Sequence, residues 1–284
     1  MNNVTFFSDA RAFVDRTLPD LSRDETRNNL ILGLALRLKE DPHAYTEQDP
    51  LMAVVSDESG KNLAMAIMTP PFPMIIQSEP LHLEALETLA DALLKNGWYL
   101  PGVNGVSEVS DSFAQIWESK TEQNVRLLMS LRAYELRKIA ELEYPSGGMR
   151  IAEEKDAQKV AEMHNAMRQE LVAQPGNAAT VESALKTIRQ QRTFFWVVDG
   201  EVVSITNAVR PQIKGICISG VYTPPEFRRK GYARALVAEV SKEMLSRGFE
   251  LTNLFTDLAN PTSNKIYQEV GYKAVCDYCQ YSFG

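Results

Sequence analysis

Cysteine is scarce in this chain: Cys217, Cys276 and Cys279 are the only three in 284 residues. That supply gives no disulfide framework and fits a reducing compartment. Histidine is as rare. His43, His82 and His164 lie far apart with no H-x-x-x-H spacing, so the metal-binding helix motif is missing, and all three are expected as surface or capping residues. Long apolar runs are missing too. The uncharged stretch from Asn62 to Ser78 is broken by Pro70, Pro71 and Pro73 and reads as buried strands with a turn, not a membrane span. The first nine residues, Met1 to Asp9, have neither the basic start nor the apolar core of a signal peptide. Excess positive charge is absent: 30 Lys and Arg against 37 Asp and Glu leave a formal charge of −7, which argues against a general nucleic-acid binder. The expectation is a cytoplasmic protein with no membrane and no nucleic-acid partner.

What is present is ordinary globular material, 44% hydrophobic and 24% charged. The length suggests roughly two domains of about 150 residues. The second half reads clearly. Met149 to Ile151 is a short strand, followed by helices from about Glu154 to Glu170 and Val181 to Gln191. Phe194 to Val198 is a β-branched and aromatic strand, and Asp199-Gly200 turns it into a second strand, Glu201 to Ile205. A third strand covers Ile216 to Tyr222. After a polar loop, Ala233, Leu236, Val237, Val240 and Met244 mark one face of a helix from Tyr232 to Arg247, which Gly248 ends. Leu251 to Phe255 is a strand, Pro261 to Val270 a helix, and Tyr272 to Phe283 a final strand.

The first half repeats part of this order. Ala53 to Val55 and Leu63 to Ile67 flank a turn at Ser59-Gly60, and Met74 to Ile76 forms a third strand. A helix carrying Leu83, Leu86, Leu89 and Leu93 ends at Gly97; a second helix runs from Ser107 to Trp117, and Val125 to Leu131 closes the set. Gly60 to Gly97 is 37 positions, and Gly200 to Gly248 is 48. The 11 extra residues fall at the third strand and the loop after it. Glu-Tyr-Pro-Ser-Gly-Gly, within Arg137 to Gly148, breaks any helix and marks the junction. The expected domains are 1–136 and 149–284, with 137–148 as linker.

The extra residues hold the best chemical motif. Val221-Tyr222-Thr223-Pro-Pro-Glu226-Phe-Arg228-Arg229-Lys230-Gly231-Tyr232-Ala233 joins a strand to a helix. Three consecutive cations precede a glycine at the helix start, where unpaired amides and the positive dipole end favour an anion and glycine permits close approach. This suits a pyrophosphate. It is neither a P-loop nor a G-x-G-x-x-G fingerprint. Arg228-x-x-Gly231-x-Ala233 resembles the R/Q-x-x-G-x-G/A signature of the GCN5-related N-acetyltransferase (GNAT) superfamily. Asn260-Pro-Thr-Ser263-Asn264-Lys265-Ile-Tyr267-Gln-Glu-Val-Gly271-Tyr272 resembles that superfamily's late block, in the expected order. The first half is similar to the degenerate N-terminal repeat of tandem members and has no cofactor motif.

The resemblance implies an α/β fold (an α+β mixed sheet). It would comprise two GNAT-like domains in tandem, with mostly antiparallel sheets, a splayed parallel pair and flanking helices. It implies acetyl-CoA as co-substrate and an amine acceptor, with no metal. By that likeness Val221, Tyr222 and Thr223 line the pantetheine arm. Arg229, Lys230, Gly231, Tyr232, Ala233 and Arg234 offer amides to the pyrophosphate beside the Arg228 side chain. Asn260 and Ser263 reach the cofactor, with Lys265 near them. The amine attacks the thioester directly, and an N–H near Val221 polarises the carbonyl. Tyr267 is the expected general acid. Asp257 is a candidate base whose simpler role is a turn or cap, and Glu226 is a solvated alternative. The expected activity is transfer of acetyl to a primary amine of a small molecule. The alternatives are a non-catalytic acyl-CoA sensor and a protein or peptide N-acetyltransferase; the chain is expected as monomer or homodimer. Cys276-Asp-Tyr-Cys279 has metal-like spacing but no second pair, and residues three apart on a strand face opposite ways. Trp98, Trp117 and Trp196 are expected in the core.

Overall fold

The computed structural model describes residues 2–170 and 178–284. Its elements group into two compact units. The first runs to Ala133 and adds Asp257–Ala259 and Val275–Gly284; the second holds Tyr134–Thr256 and Asn260–Ala274.

In the first unit, β1 (Asn3–Phe6), β2 (Leu51–Ser56), β3 (Asn62–Met68) and β4 (Met74–Gln77) pair antiparallel in sequence order. Then β5 (Gly102–Val106) joins β4 in parallel, from Met74 opposite Val103 to Ile76 opposite Gly105. The helices are α1 (Ala10–Leu21), α2 (Asn29–Glu40), α3 (Leu83–Lys95) and α4 (Ser107–Lys120). β2 is buried along its whole length, and Phe13, Val14, Leu32 and Leu38 of α1 and α2 form a core with Met52, Val54 and Ile67. The strand and two helices within residues 3–40, and β5, are elements that the sequence reading did not find. β5 reads Gly-Val-Asn-Gly-Val, whose glycines argue against a strand. Both are forced by crowding: a Cβ on Gly105 would stand 2.6 Å from the Ile76 carbonyl oxygen, and one on Gly102 would stand 2.0 Å from that of Tyr281.

The C-terminal strand β12 (Lys273–Phe283) pairs antiparallel with β5, from Tyr278 opposite Val106 to Ser282 opposite Gly102, and lies between β5 and β6 (Val125–Leu136). Arg132 and Asp277 form a two-pronged pair at 2.7 and 2.8 Å across β6 and β12. The last strand of the chain thus completes the sheet of the first unit, whereas a contiguous division at 149–284 would leave it in the second. Trp117 stacks between Phe113 and Phe283, at 5.9 Å from each.

In the second unit, β7 (Gly148–Ile151), β8 (Thr193–Val198), β9 (Glu201–Val209) and β10 (Gly215–Tyr222) are antiparallel neighbours, and β11 (Leu251–Asp257) joins β10 in parallel. α5 (Ala157–Glu170), preceded by a 3-10 turn at Glu154–Asp156, and α6 (Val181–Arg189) pack with Phe195, Ile205 and Tyr222. α7 (Tyr232–Ser246) and α8 (Pro261–Val270) share a core with Phe194, Ile216, Ile218 and Leu254. The helix expected from Glu154 therefore starts as a 3-10 turn, fixed by a reciprocal cap between Glu153 and Asp156. Residues 137–147 form no strand or helix, yet they pack on this unit: Ile139 and Leu142 meet its core, and Tyr144 stacks on Trp196 at 6.3 Å.

No helix among the described residues is long and apolar enough to cross a membrane. Gly105→Ala is expected to lower stability by about 1–3 kcal/mol, because the added methyl would stand 2.6 Å from the Ile76 carbonyl oxygen, which the ladder holds in place. The check is a fall in the urea midpoint at unchanged slope.

Candidate active site

β10 and β11 run in register only from Gly215 opposite Leu251 to Cys217 opposite Asn253. Each strand then continues for several residues without its neighbour, so the parallel pair splays. The cause lies on the other side of β10. Against β9, Ser219 faces Asn207 and Tyr222 faces Ile205, so three steps on β10 match two on β9. This is a β-bulge, and Gly220 within it has φ +67°. Two buried hydroxyls of β9 take the displaced carbonyls: Thr206 Oγ1 donates to Ser219 O at 3.1 Å and Ser204 Oγ to Tyr222 O at 3.1 Å. Their pairing restores bonds that a regular ladder would have made.

At the closed end of the splay sits a buried polar group. Asn253 donates to Gln212 Oε1 at 2.9 Å, and Arg210 Nη2 donates to Cys217 Sγ at 2.9 Å. Burial pushes the Cys217 thiol up from its ordinary value.

Beyond Tyr222 the chain enters the basic loop. Arg228 is not a loose cation. Its Nε donates to Thr223 O at 2.9 Å, its Nη2 lies 2.8 and 2.6 Å from the two Glu170 carboxylate oxygens, and its guanidinium stands over the Tyr222 ring. Thr223 Oγ1 donates to Ser204 Oγ at 2.9 Å, so the loop is tied to β9 as well. Arg229 and Gly231 both have left-handed backbones, φ +63° and +83°. Gly231 caps α7 with no side-chain hydrogen bond, and the first helix amide paired to the cap is that of Ala235, to Gly231 O. The preceding amides stand at the positive end of the helix without intrahelical acceptors. A Cβ on Gly231 would meet nothing nearer than 3.8 Å, so the approach is open and the glycine serves the backbone angle. Lys230 lies over Phe227 and is exposed; Arg234 is held by Glu269 at 3.0 Å and the Glu143 carbonyl at 3.2 Å.

The late block is placed as follows. Asn260 is the N-cap of α8, accepting from the Ser263 amide at 3.0 Å, with its own carbonyl taking the Asn264 side chain at 2.7 Å. Ser263 is half-buried, and Lys265 is exposed, 3.9 Å from Glu269. Tyr267 is buried, its ring 6.5 Å from Tyr134 and 6.1 Å from Tyr272. Burial drives its phenol pKa far above the ordinary value, and the Cys217 sulfur acts the same way. Tyr272 differs: its hydroxyl lies 2.8 Å from both Ser241 Oγ and Thr252 Oγ1. Asp257 is exposed, accepts from the Ala259 amide at 2.8 Å and groups with the first unit. Glu226 is exposed in the loop.

His164 corrects the sequence reading. It is half-buried on α5, not a surface or capping residue; its Nε2 lies 2.9 Å from the Asn207 side-chain nitrogen, and burial lowers its pKa. The missed signal was the run of buried polar residues on β9, Ser204, Thr206 and Asn207, in a strand that hydrophobicity alone would have made aliphatic. Cys276 and Cys279 are free thiols on β12, and no group of metal-binding side chains occurs among the described residues.

Because folding raises the Tyr267 pKa, its neutral form is favoured in the native state. That contribution to stability is full below the unfolded value near 10 and is lost as pH rises past it. Alkaline titration of phenolate absorbance is therefore expected to show the wild type and Tyr267→Phe differing only once the protein unfolds.

Residues 157–272 match the family model described as the acetyltransferase (GNAT) family. No curated protein matches the chain. Among solved structures, it is similar to a GNAT-family acetyltransferase from Colwellia psychrerythraea, at 11% identity and TM-score 0.58 over 99% of this chain and 100% of that one. A GCN5-related N-acetyltransferase from Sphaerobacter thermophilus gives 14% identity and TM-score 0.62, over 99% and 94%. A tandem GNAT protein from the clavulanic acid biosynthesis pathway gives 10% identity and TM-score 0.57, over 100% and 98%. These likenesses show the fold along both halves, and residues 157–272 carry the match to the GNAT acetyltransferase family model.

Proposed function

We propose that the second half is an acetyl-CoA-dependent N-acetyltransferase that transfers acetyl directly to the primary amine of a small molecule. The observation that carries this reading is the sequence of splay, bulge and uncapped helix along one stretch of chain. The parallel pair ends at Cys217, the strand is released at Gly220, and the left-handed Arg229 and Gly231 follow at the start of α7. An extended thioester arm fits beside β10 past the bulge, with its diphosphate at the open amides of α7. In this reading Val221 presents backbone groups to the arm; Thr223 contributes less, since its carbonyl already accepts from Arg228. The role of Arg228 is to brace the loop. Asn260 and Ser263 shape the start of α8, which carries Tyr267.

The chemistry needs no covalent enzyme intermediate. A neutral amine attacks the thioester carbonyl, an N–H near Val221 stabilises the oxyanion, and Tyr267, kept protonated by burial, gives its proton to the departing thiolate. The net charge of −7 favours a cationic acceptor. The first half, at 1–136, is read as a degenerate GNAT-like domain that has kept its fold and lost the cofactor loop. Between β4 and α3 its chain reads Ser78-Glu-Pro-Leu-His82, with no glycine and no Lys or Arg. The cytoplasm is the compartment this reading implies.

Isothermal titration is expected to give one acetyl-CoA per chain. Arg228→Ala should weaken binding about tenfold, equivalent to roughly 1.4 kcal/mol, and Gly231→Glu should abolish it by placing a carboxylate at the diphosphate. Tyr267→Phe should lower turnover about 10²-fold while leaving affinity unchanged. Absence of acetyl-CoA binding by the folded wild type, or a stoichiometry of two, overturns the reading.

A further inference from the structure

An imidazole stands over the β10 bulge. His164 Nε2 is 2.9 Å from the side-chain nitrogen of Asn207 and 3.9 Å from the point where a Cβ on Gly220 would sit. Behind it runs a chain of side chains. Asn207 Oδ1 lies 2.9 Å from Thr193 Oγ1, Thr193 Oγ1 lies 3.0 Å from Thr187 Oγ1, and Thr187 Oγ1 donates to the Ala184 carbonyl at 3.0 Å.

The protons of this chain can be counted from its far end. A carbonyl accepts and never donates, so the one hydroxyl proton of Thr187 is committed to Ala184. Thr187 Oγ1 must then accept from Thr193, which commits the one proton of Thr193. Thr193 Oγ1 must in turn accept from Asn207, and it does so when the amide nitrogen of Asn207 faces it. That orientation turns the Asn207 carbonyl oxygen toward His164. In the reverse orientation one hydroxyl proton would serve two oxygens, and a contact of about 3 Å between oxygens would hold no proton at all. A carbonyl oxygen facing the imidazole requires N–H there. The accounting therefore fixes His164 as the tautomer protonated at Nε2, with the lone pair on Nδ1.

Resting on the acetyl-transfer reading above, we propose that His164 is the general base, its Nδ1 taking a proton from the ammonium form of the acceptor. The N–H bond breaks, its electron pair stays on the amine nitrogen, and Nδ1–H forms. The amine then bonds to the acetyl carbon as the carbon–sulfur bond breaks. The thiolate takes the Tyr267 proton, the tyrosinate recovers one from the new amide nitrogen, and the imidazolium returns its proton to water. The place fits the task, since the bulge under the ring is where β10 leaves its neighbours. Burial holds the imidazole below its ordinary pKa and so neutral near pH 7. The elements packed on α5 carry Cys217 and Tyr222 (β10), Glu182, Lys186 and Arg189 (α6) and Glu154, Lys155 and Asp156 (the 3-10 turn). α5 itself adds Lys159, Glu162, Arg168 and Glu170. Among the described residues, none of these side chains hydrogen-bonds to His164, whose pKa shift arises from burial.

Two measurements test this. In the unliganded full chain, long-range proton–nitrogen spectra are expected to show His164 protonated at Nε2; protonation at Nδ1 overturns the proposal. Initial rates of CoA release, with acetyl-CoA and an amine found by panel screening, supply the second. His164→Gln is expected to lose about 10²- to 10⁴-fold in kcat and the acidic limb of the kcat/KM profile, with KM for acetyl-CoA little changed. His164→Ala should be partly rescued by imidazole. Asn207→Asp places a carboxylate on Nε2–H and should move the acidic limb to higher pH. A limb that survives His164→Gln, or stays put in Asn207→Asp, overturns the base assignment. The tautomer is read without co-substrate, so its failure is distinguishable from a failure of acetyl-CoA binding.

Discussion

The second unit depends on one backbone event, the parting of β10 from β11 after Cys217 together with its register shift against β9 between Ser219 and Tyr222. A strand inside a sheet cannot leave on both sides without stranding its polar groups, and a buried unpaired carbonyl or amide costs about as much as a lost hydrogen bond. Here the debt is settled from within the strand pair. The left-handed Gly220 shifts the register by one residue, and Thr206 and Ser204 supply hydroxyls to the carbonyls of Ser219 and Tyr222. Ser204 is held in turn by Thr223, the first loop residue, and Thr223 by Arg228. The bulge, the splay and the loop are therefore one mechanical unit. A change at any of them would propagate to the amides of α7.

The first unit shows what the same order of elements yields without that event. β4 and β5 stay in parallel register over Met74, Ile75 and Ile76. The turn into α3 passes through Pro80 to His82, whose carbonyl takes the Ala85 and Leu86 amides. As at α7, no side chain caps this helix start, but no left-handed glycine stands there. β5 is also crowded from both sides, by Ile76 and by Tyr281 of β12, at positions only glycine tolerates. The two halves keep the same succession of strands and helices and differ at β5 and at the turn into the following helix.

Sequence periodicity recovered the helices and strands of the second half to within a few residues, because their apolar faces are regular: Leu236, Val237, Val240 and Met244 on α7, and Phe194 to Val198 on β8. The loop from Arg228 to Gly231 was legible because its charge and its glycine are local features. The features that escaped depend on tertiary contact. Gly-Val-Asn-Gly-Val becomes a strand only because two neighbours press on its glycines. β12 joins the sheet of the first unit through partners some 170 residues away, such as Val106 for Tyr278. Nothing near Arg228 in sequence announces Glu170, 58 positions earlier. Nothing near His164 announces Asn207, 43 positions on.

Burial, joined at Tyr267 by the Cys217 sulfur, gives the two proposed proton carriers opposite and complementary states. Removing water disfavours whichever form is charged. For Tyr267 that form is the phenolate, so the group stays a proton donor; for His164 it is the imidazolium, so the ring stays a proton acceptor. No nearby carboxylate is needed to tune either one. On that proposal the second unit needs neither Asp257, which accepts from the Ala259 amide in a turn, nor Glu226, which is exposed. The direction of proton flow is then set by the hydrogen-bond chain from Ala184 to Asn207. Each of its two hydroxyls has a single proton to give, and the amide at its end leaves the imidazole lone pair on the side away from the amide. A carboxylate base would carry its charge into the cleft and attract any cation; a neutral imidazole with a fixed tautomer offers one lone pair in one direction, which suits an amine that must arrive charged and react neutral.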